Sequence, residues 1–167
     1  MLLPFDDVVT RHGPAILRVC RAVVGYSDAE DVWSETFLAA LRAYPDLPDD
    51  ANVEAWLVTI AKRKGIDSLR AGARRALPVD TLPDQGVYDP GLEGGLDVEL
   101  QAALAALTPR QREVIAYHVL GGLPYAEVAE IVGGTAAAAR RAAADGLANL
   151  RRSYATAESE LREAHHG

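Results

Sequence analysis

Apolar positions recur at helical spacing along most of the chain, and no stretch alternates every second residue over a length that would make a strand. Phe5, Val8 and Val9, followed by Ile16, Leu17, Val19, Cys20, Val23 and Val24, mark a first helical stretch. An interruption is expected near Gly13-Pro14 and an end at Gly25. Ser27 or Asp28 can cap a second helix, in which Val32, Trp33, Thr36, Phe37, Ala40 and Leu41 form an apolar stripe before Tyr44-Pro45 stops it. After the polar loop PDLPDDAN, Asn52 suits the N-cap of a long third helix. Val53, Trp56, Leu57, Ile60 and Ala61 make its buried face. Together these elements predict a three- or four-helix bundle.

The pattern lapses in ALPVDTLPDQGVYDPGLEGGLDVEL, which has three prolines, four glycines and no sustained period, as a linker does. It then resumes: VELQAALAALTPRQREVIAYHVLGG divides into two helices at Thr108-Pro109, with threonine as N-cap and proline in the first turn. Gly121-Gly122 closes the second of them. A short helix from Pro124 to Val132, a turn at Gly133-Gly134 and a longer helix capped by Thr135 and reaching about Tyr154 complete a helix-turn-helix outline. The predicted fold is all-α, with a helical bundle over residues 1–75 and a four-helix helix-turn-helix domain over 98–155. An acidic linker, 76–97, joins them, and 156–167 form a tail.

Composition changes this picture in three ways. Apolar residues at 49% and charged residues at 25% describe a chain able to fold. No apolar run approaches the roughly 18 residues of a membrane span, and the N-terminus lacks a signal-peptide pattern, so a cytoplasmic protein is expected. The net charge of −7 argues against nucleic acid until it is mapped. Residues 1–75 carry ten Lys/Arg and eleven Asp/Glu, residues 76–99 six acids and no base, and residues 100–167 seven of each. The excess therefore belongs to the middle of the chain. Cys20 is a lone cysteine in an apolar helix, and the histidines have no ligand spacing, so neither disulfide nor metal nor cofactor is expected. The absence of catalytic and phosphate-loop motifs speaks against an enzyme.

Two charged clusters carry candidate chemistry. Asp28, Glu30, Asp31 and Glu35 crowd the second helix, and Asp31 and Glu35 share a face at i,i+4. Such acids either complement the helix dipole and stay solvated, or meet a basic partner. Lys62, Arg63, Lys64, Arg70, Arg74 and Arg75 form the main basic concentration. Arg63, Arg70 and Arg74, spaced seven and four apart, line one side of the third helix, where phosphates are the natural partner. Arg110 and Arg112 follow Pro109 at a helix start, an unfavourable place for cations, which points to an external anion. Trp33 and Trp56 fit core positions, with base stacking as the alternative.

AED-x-x-x-ETFL in DAEDVWSETFLAAL and AWL-x-x-IA…D-x-x-R in NVEAWLVTIAKRKGIDSLR resemble the promoter-melting region of bacterial sigma factors of the extracytoplasmic-function group. LTPRQREVI with PYAEVAEIVG is similar to their C-terminal helix-turn-helix. The resemblance covers roughly residues 5–75 and 98–152. It implies a protein that binds core RNA polymerase, through the clamp of β′ and the flap of β, and directs promoter recognition and initiation. Docking by the acidic face, DNA contacts by the basic cluster and by Arg110, Arg112, Arg140 and Arg141, and control by an anti-sigma factor follow as expectations. The family pattern also suggests that Asp67 pairs with Arg63 or Arg70, and it often has asparagine where this chain has Arg63. The alternative is a sigma-like interaction protein with little promoter selectivity. That alternative draws on the second helix of the helix-turn-helix. Ala139 and Ala143 take its buried side, Ala144 and Asp145 stand where polar or basic residues are expected, and Arg140 and Arg141 alone can reach the groove from its first turns.

Overall fold

The structure is a computed structural model that describes residues 2–75 and 98–166, so the linker expected at 76–97 lies outside the described residues. The chain separates into two compact units, Met1–Gly95 and Leu96–Gly167. No helix among the described residues is long and apolar enough to cross a membrane.

The first unit packs α1 (Phe5–Val24), α2 (Tyr26–Ala43) and α3 (Val53–Arg75) against one another, with a 3-10 turn at Tyr44–Asp46. α1 runs unbroken through Gly13-Pro14, contrary to the interruption expected there. Proline inside a helix costs about 3 kcal/mol, but Val8 before it and Ile16, Val19 and Cys20 after it are buried on one stripe, and docking that stripe holds the helix together. Trp33 helps at the same spot, its indole Nε1–H donating to the Gly13 carbonyl at 2.9 Å while the ring lies against that turn.

α2 starts a turn earlier than expected. Gly25, at φ 84°, ends α1 by donating to the Arg21 carbonyl and is itself the N-cap of α2, so Ser27 and Asp28 already lie inside the first turn and cap nothing. Ala29, Val32, Thr36, Phe37 and Ala40 are its buried stripe. Leu41, assigned to that stripe from the sequence, is 50% exposed. In α3, Asn52 caps as expected, its Oδ1 accepting from the Ala55 N–H at 3.1 Å. Leu57, Val58 and Ala61 form the innermost seam, while Trp56 is half-buried beside Tyr44.

The second unit comprises α4 (Val98–Ala105), α5 (Pro109–Ile115) continuing into a π-helical turn (Ala116–Leu120), α6 (Tyr125–Val132) and α7 (Ala136–His166), with α7 packed on the other three helices. Thr108 and Gln111 form a capping box at the start of α5, each side chain bonded to the other's backbone N–H. Pro124 occupies the N-cap of α6 rather than its first turn, and no side chain caps that helix. Gly133 and Gly134, at φ 88° and 91°, make the tight turn in a conformation that a side chain would strain. Thr135 caps α7 by accepting from the Ala138 N–H at 3.1 Å.

α7 passes the expected end near Tyr154 and continues to His166. No glycine or proline stands between Leu147 and His166, the residues there are largely good helix formers, and the hydroxyls of Ser153, Thr156 and Ser159 donate to carbonyls one turn back. Gly146 lies where α7 meets α5: a Cβ there would come within 2.5 Å of Ile115 Cδ1 and 3.3 Å of Gln111 Cβ. The helix-propensity cost of glycine is thus offset by a close crossing.

Candidate functional site

α2 turns the acidic residues outward. Asp28, Glu30, Asp31 and Glu35 are all exposed, with Asp28 placed to complement the N-terminal dipole. Leu38 stands nine residues after the buried Ala29, which at about 100° per residue puts it opposite the core, beside the Asp31–Glu35 row. It is 54% exposed, and Leu41 flanks the same face. A single exposed leucine is ordinary. Two leucines bordered by Asp31, Glu35 and the exposed Arg42 make an apolar centre with a charged rim, the composition of a protein-binding patch. Sequence reasoning missed Leu38 and misassigned Leu41. The signal lay in their angular distance from the Val32–Thr36–Ala40 line.

Arg63, Arg70 and Arg74 are exposed along one side of α3. Lys62 and Lys64, about 100° to either side of Arg63, are half-buried at the flanks of that row. Only the backbone of Arg75 is described. The ion pair expected between Asp67 and Arg63 or Arg70 is not formed among the described residues. All three side chains are exposed, and a surface pair gains too little to hold them. Trp33 and Trp56 are both part of the aromatic cluster of the first unit, Trp33 against Phe37 and Trp56 against Tyr44. Cys20 is buried, and burial pushes its thiol up to about 12.

In the second unit the two arginines after Pro109 have internal partners. Arg110 Nη1 donates to the carbonyls of Val132 and Gly133, both at 2.9 Å, and so closes the end of α6. Arg112 donates from Nε to Leu104 at 3.0 Å and from Nη2 to Ala105 and Leu107 at 2.9 and 3.0 Å, closing α4. Helix C-termini carry partial negative charge and unpaired carbonyls, so they supply the anion that the sequence reading sought outside the protein. Arg112 therefore belongs to the frame of the domain, and Arg110 positions the turn that leads into α7.

On α7, Ala139 and Ala143 are buried as expected and, with Gly146, face the rest of the unit. Ala137, Ala138, Arg140, Arg141, Ala144 and Asp145 are exposed. The Arg140 guanidinium lies over the Tyr125 ring at 5.2 Å, and His118 stacks on the same Tyr125 ring at 3.8 Å and 18°. His118 is fixed in turn by Nδ1–H donating to the Leu123 carbonyl at 2.7 Å. The π-helical turn that carries His118 had no signal in the sequence pattern.

The family model for Sigma-70 region 2 matches residues 8–75, and that for Sigma-70, region 4 matches residues 97–150. The ECF RNA polymerase sigma factor SigD of Mycobacterium tuberculosis is 34% identical over 157 residues, covering 87% of this chain and 74% of that protein. RNA polymerase sigma factor CarQ of Myxococcus xanthus is 30% identical over 167 residues, covering 94% and 92%. The sigma factor RpoE of Bartonella quintana, solved with the anti-sigma factor NepR, has a TM-score of 0.77 at 22% identity, covering 90% of this chain and 96% of that one. At that identity the likeness is one of fold.

Proposed function

The chain belongs to the extracytoplasmic-function RNA polymerase sigma factors, and from that premise we propose how its own residues serve promoter recognition and initiation. A sigma factor binds core RNA polymerase and directs it to promoters. The outer face of α2 docks on a basic surface of the polymerase, the β′ clamp, through Asp31 and Glu35 around Leu38, with Asp28 and Glu30 at its N-terminal edge. The exposed acidic–leucine face carries this reading. Arg63, Arg70 and Arg74, aided by Lys62, Lys64 and Arg75, hold promoter phosphates, and each neutralised phosphate contributes by counterion release. The second unit meets the β flap and grips upstream DNA with Arg140 and Arg141.

The protein performs no bond chemistry and acts in the cytoplasm. An anti-sigma partner is also proposed, since RpoE was solved with NepR, and CnrH, similar in fold at a TM-score of 0.65 and 24% identity, with the cytosolic domain of CnrY. Run-off transcription with core polymerase is the test. A transcript that depends on this protein supports the reading. Binding to core without initiation would favour a sigma-like interaction protein, a reading whose one support is the alanine-rich outer side of α7.

A further inference from the structure

The geometry points to Tyr125 as a positioning residue that aims Arg140 at the DNA backbone, with His118 as its buttress. This rests on the reading of Arg140 as a phosphate contact. An exposed arginine on a helix ordinarily samples many rotamers, and fixing one on binding costs side-chain entropy. Here the guanidinium already lies over an aromatic face at 5.2 Å, where the negative quadrupole of the ring attracts it and leaves its in-plane N–H groups free to donate.

The ring itself is held. His118 stacks on it at 3.8 Å, and the imidazole is locked by its bond to the Leu123 carbonyl. Three elements thus converge: the π-helical turn supplies His118, the first residue of α6 supplies Tyr125, and α7 supplies Arg140. On an outer surface whose neighbouring residues are largely alanines, a pre-set arginine is where binding energy can be concentrated. The phenol hydroxyl plays no part in this role, which separates it from a direct hydrogen bond between Tyr125 and a phosphate.

The test measures holoenzyme–promoter affinity against salt concentration for the full chain with core polymerase. R140A should weaken binding and lower the salt slope by about one unit. Y125L, which keeps apolar bulk but removes the π face, should weaken binding about two- to fivefold while lowering the slope less than R140A does, since Arg140 can still reach the phosphate. Y125F should behave as the parent, and R140A/Y125L should be no worse than R140A alone. Far-UV circular dichroism establishes that each variant is folded, and H118A serves as a second probe of the same stack should Y125L unfold, with a smaller loss in the same direction. An unchanged affinity and slope in R140A would overturn the phosphate reading and this inference with it. A normal R140A loss with an unaffected Y125L, or a Y125F as weak as Y125L, would overturn the positioning role alone.

Discussion

Arg112→Ala removes the clasp that closes α4. Three carbonyls lose the guanidinium: those of Leu107 and the exposed Ala105, and that of Leu104, which keeps the Leu107 N–H at 3.2 Å as a donor. A hydrogen bond from a charged group contributes about 1.5–3 kcal/mol, while a carbonyl at the exposed site is rehydrated at little cost, so the net loss is about 2–4 kcal/mol. For a unit of this size each kcal/mol moves the midpoint by about 4–8 °C, which gives a fall of about 8–32 °C. Arg112→Lys keeps the charge but replaces a planar fork by a single point donor, and should recover less than half of the loss. Both tryptophans are in the first unit, so their fluorescence follows that unit while far-UV circular dichroism follows both. The expected result is a lower transition by circular dichroism with the fluorescence transition unmoved. An Arg112→Ala variant as stable as the parent but weaker on DNA would show that the guanidinium faces phosphate and that the clasp is energetically idle.

Three more outcomes follow from the surfaces and the core. Asp31→Lys with Glu35→Lys should abolish binding to core polymerase while the fold stays within about ±0.5 kcal/mol, and a folded double variant that still co-elutes with core would reject the docking face. Replacing Arg63, Arg70 and Arg74 by alanine should flatten the salt dependence of promoter binding by up to about one unit per lost contact, and an unaltered slope would mean a merely solvated helix side. Cys20, with its thiol pushed up to about 12, should resist alkylation in the native protein at neutral and mildly alkaline pH and react on unfolding. Rapid native labelling would contradict its burial.

Much of the architecture was legible because helix punctuation acts locally. Asn52, Thr108, Gly133-Gly134 and Thr135 take the capping and turning roles their chemistry suggests. The errors arose where tertiary contacts overrode local preference. Pro14 sits inside a helix because a buried stripe spans it. For the surfaces, periodicity was enough to turn Arg63, Arg70 and Arg74 outward. It could not reveal that Arg110 and Arg112 spend their donors on helix ends that are remote in sequence, nor that His118 and Tyr125 meet Arg140. Those facts depend on how helices cross, and a one-dimensional pattern does not encode it.

We propose that this sigma factor selects promoters mainly through its first unit, while the second grips upstream DNA without reading it. Alanine methyl groups cannot hydrogen-bond a base edge and Asp145 would repel a nearby phosphate, so with Arg140 and Arg141 proposed as phosphate contacts this outer side would carry little sequence information. The direct measurement is run-off transcription by the reconstituted holoenzyme from a responsive promoter and from two versions of it, one with the upstream element scrambled and one with the start-proximal element scrambled. Scrambling the upstream element should leave most of the transcript, and scrambling the start-proximal element should remove most of it. A penalty of about 1–3 kcal/mol for each altered upstream base pair would contradict the account and identify α7 as a reader of DNA.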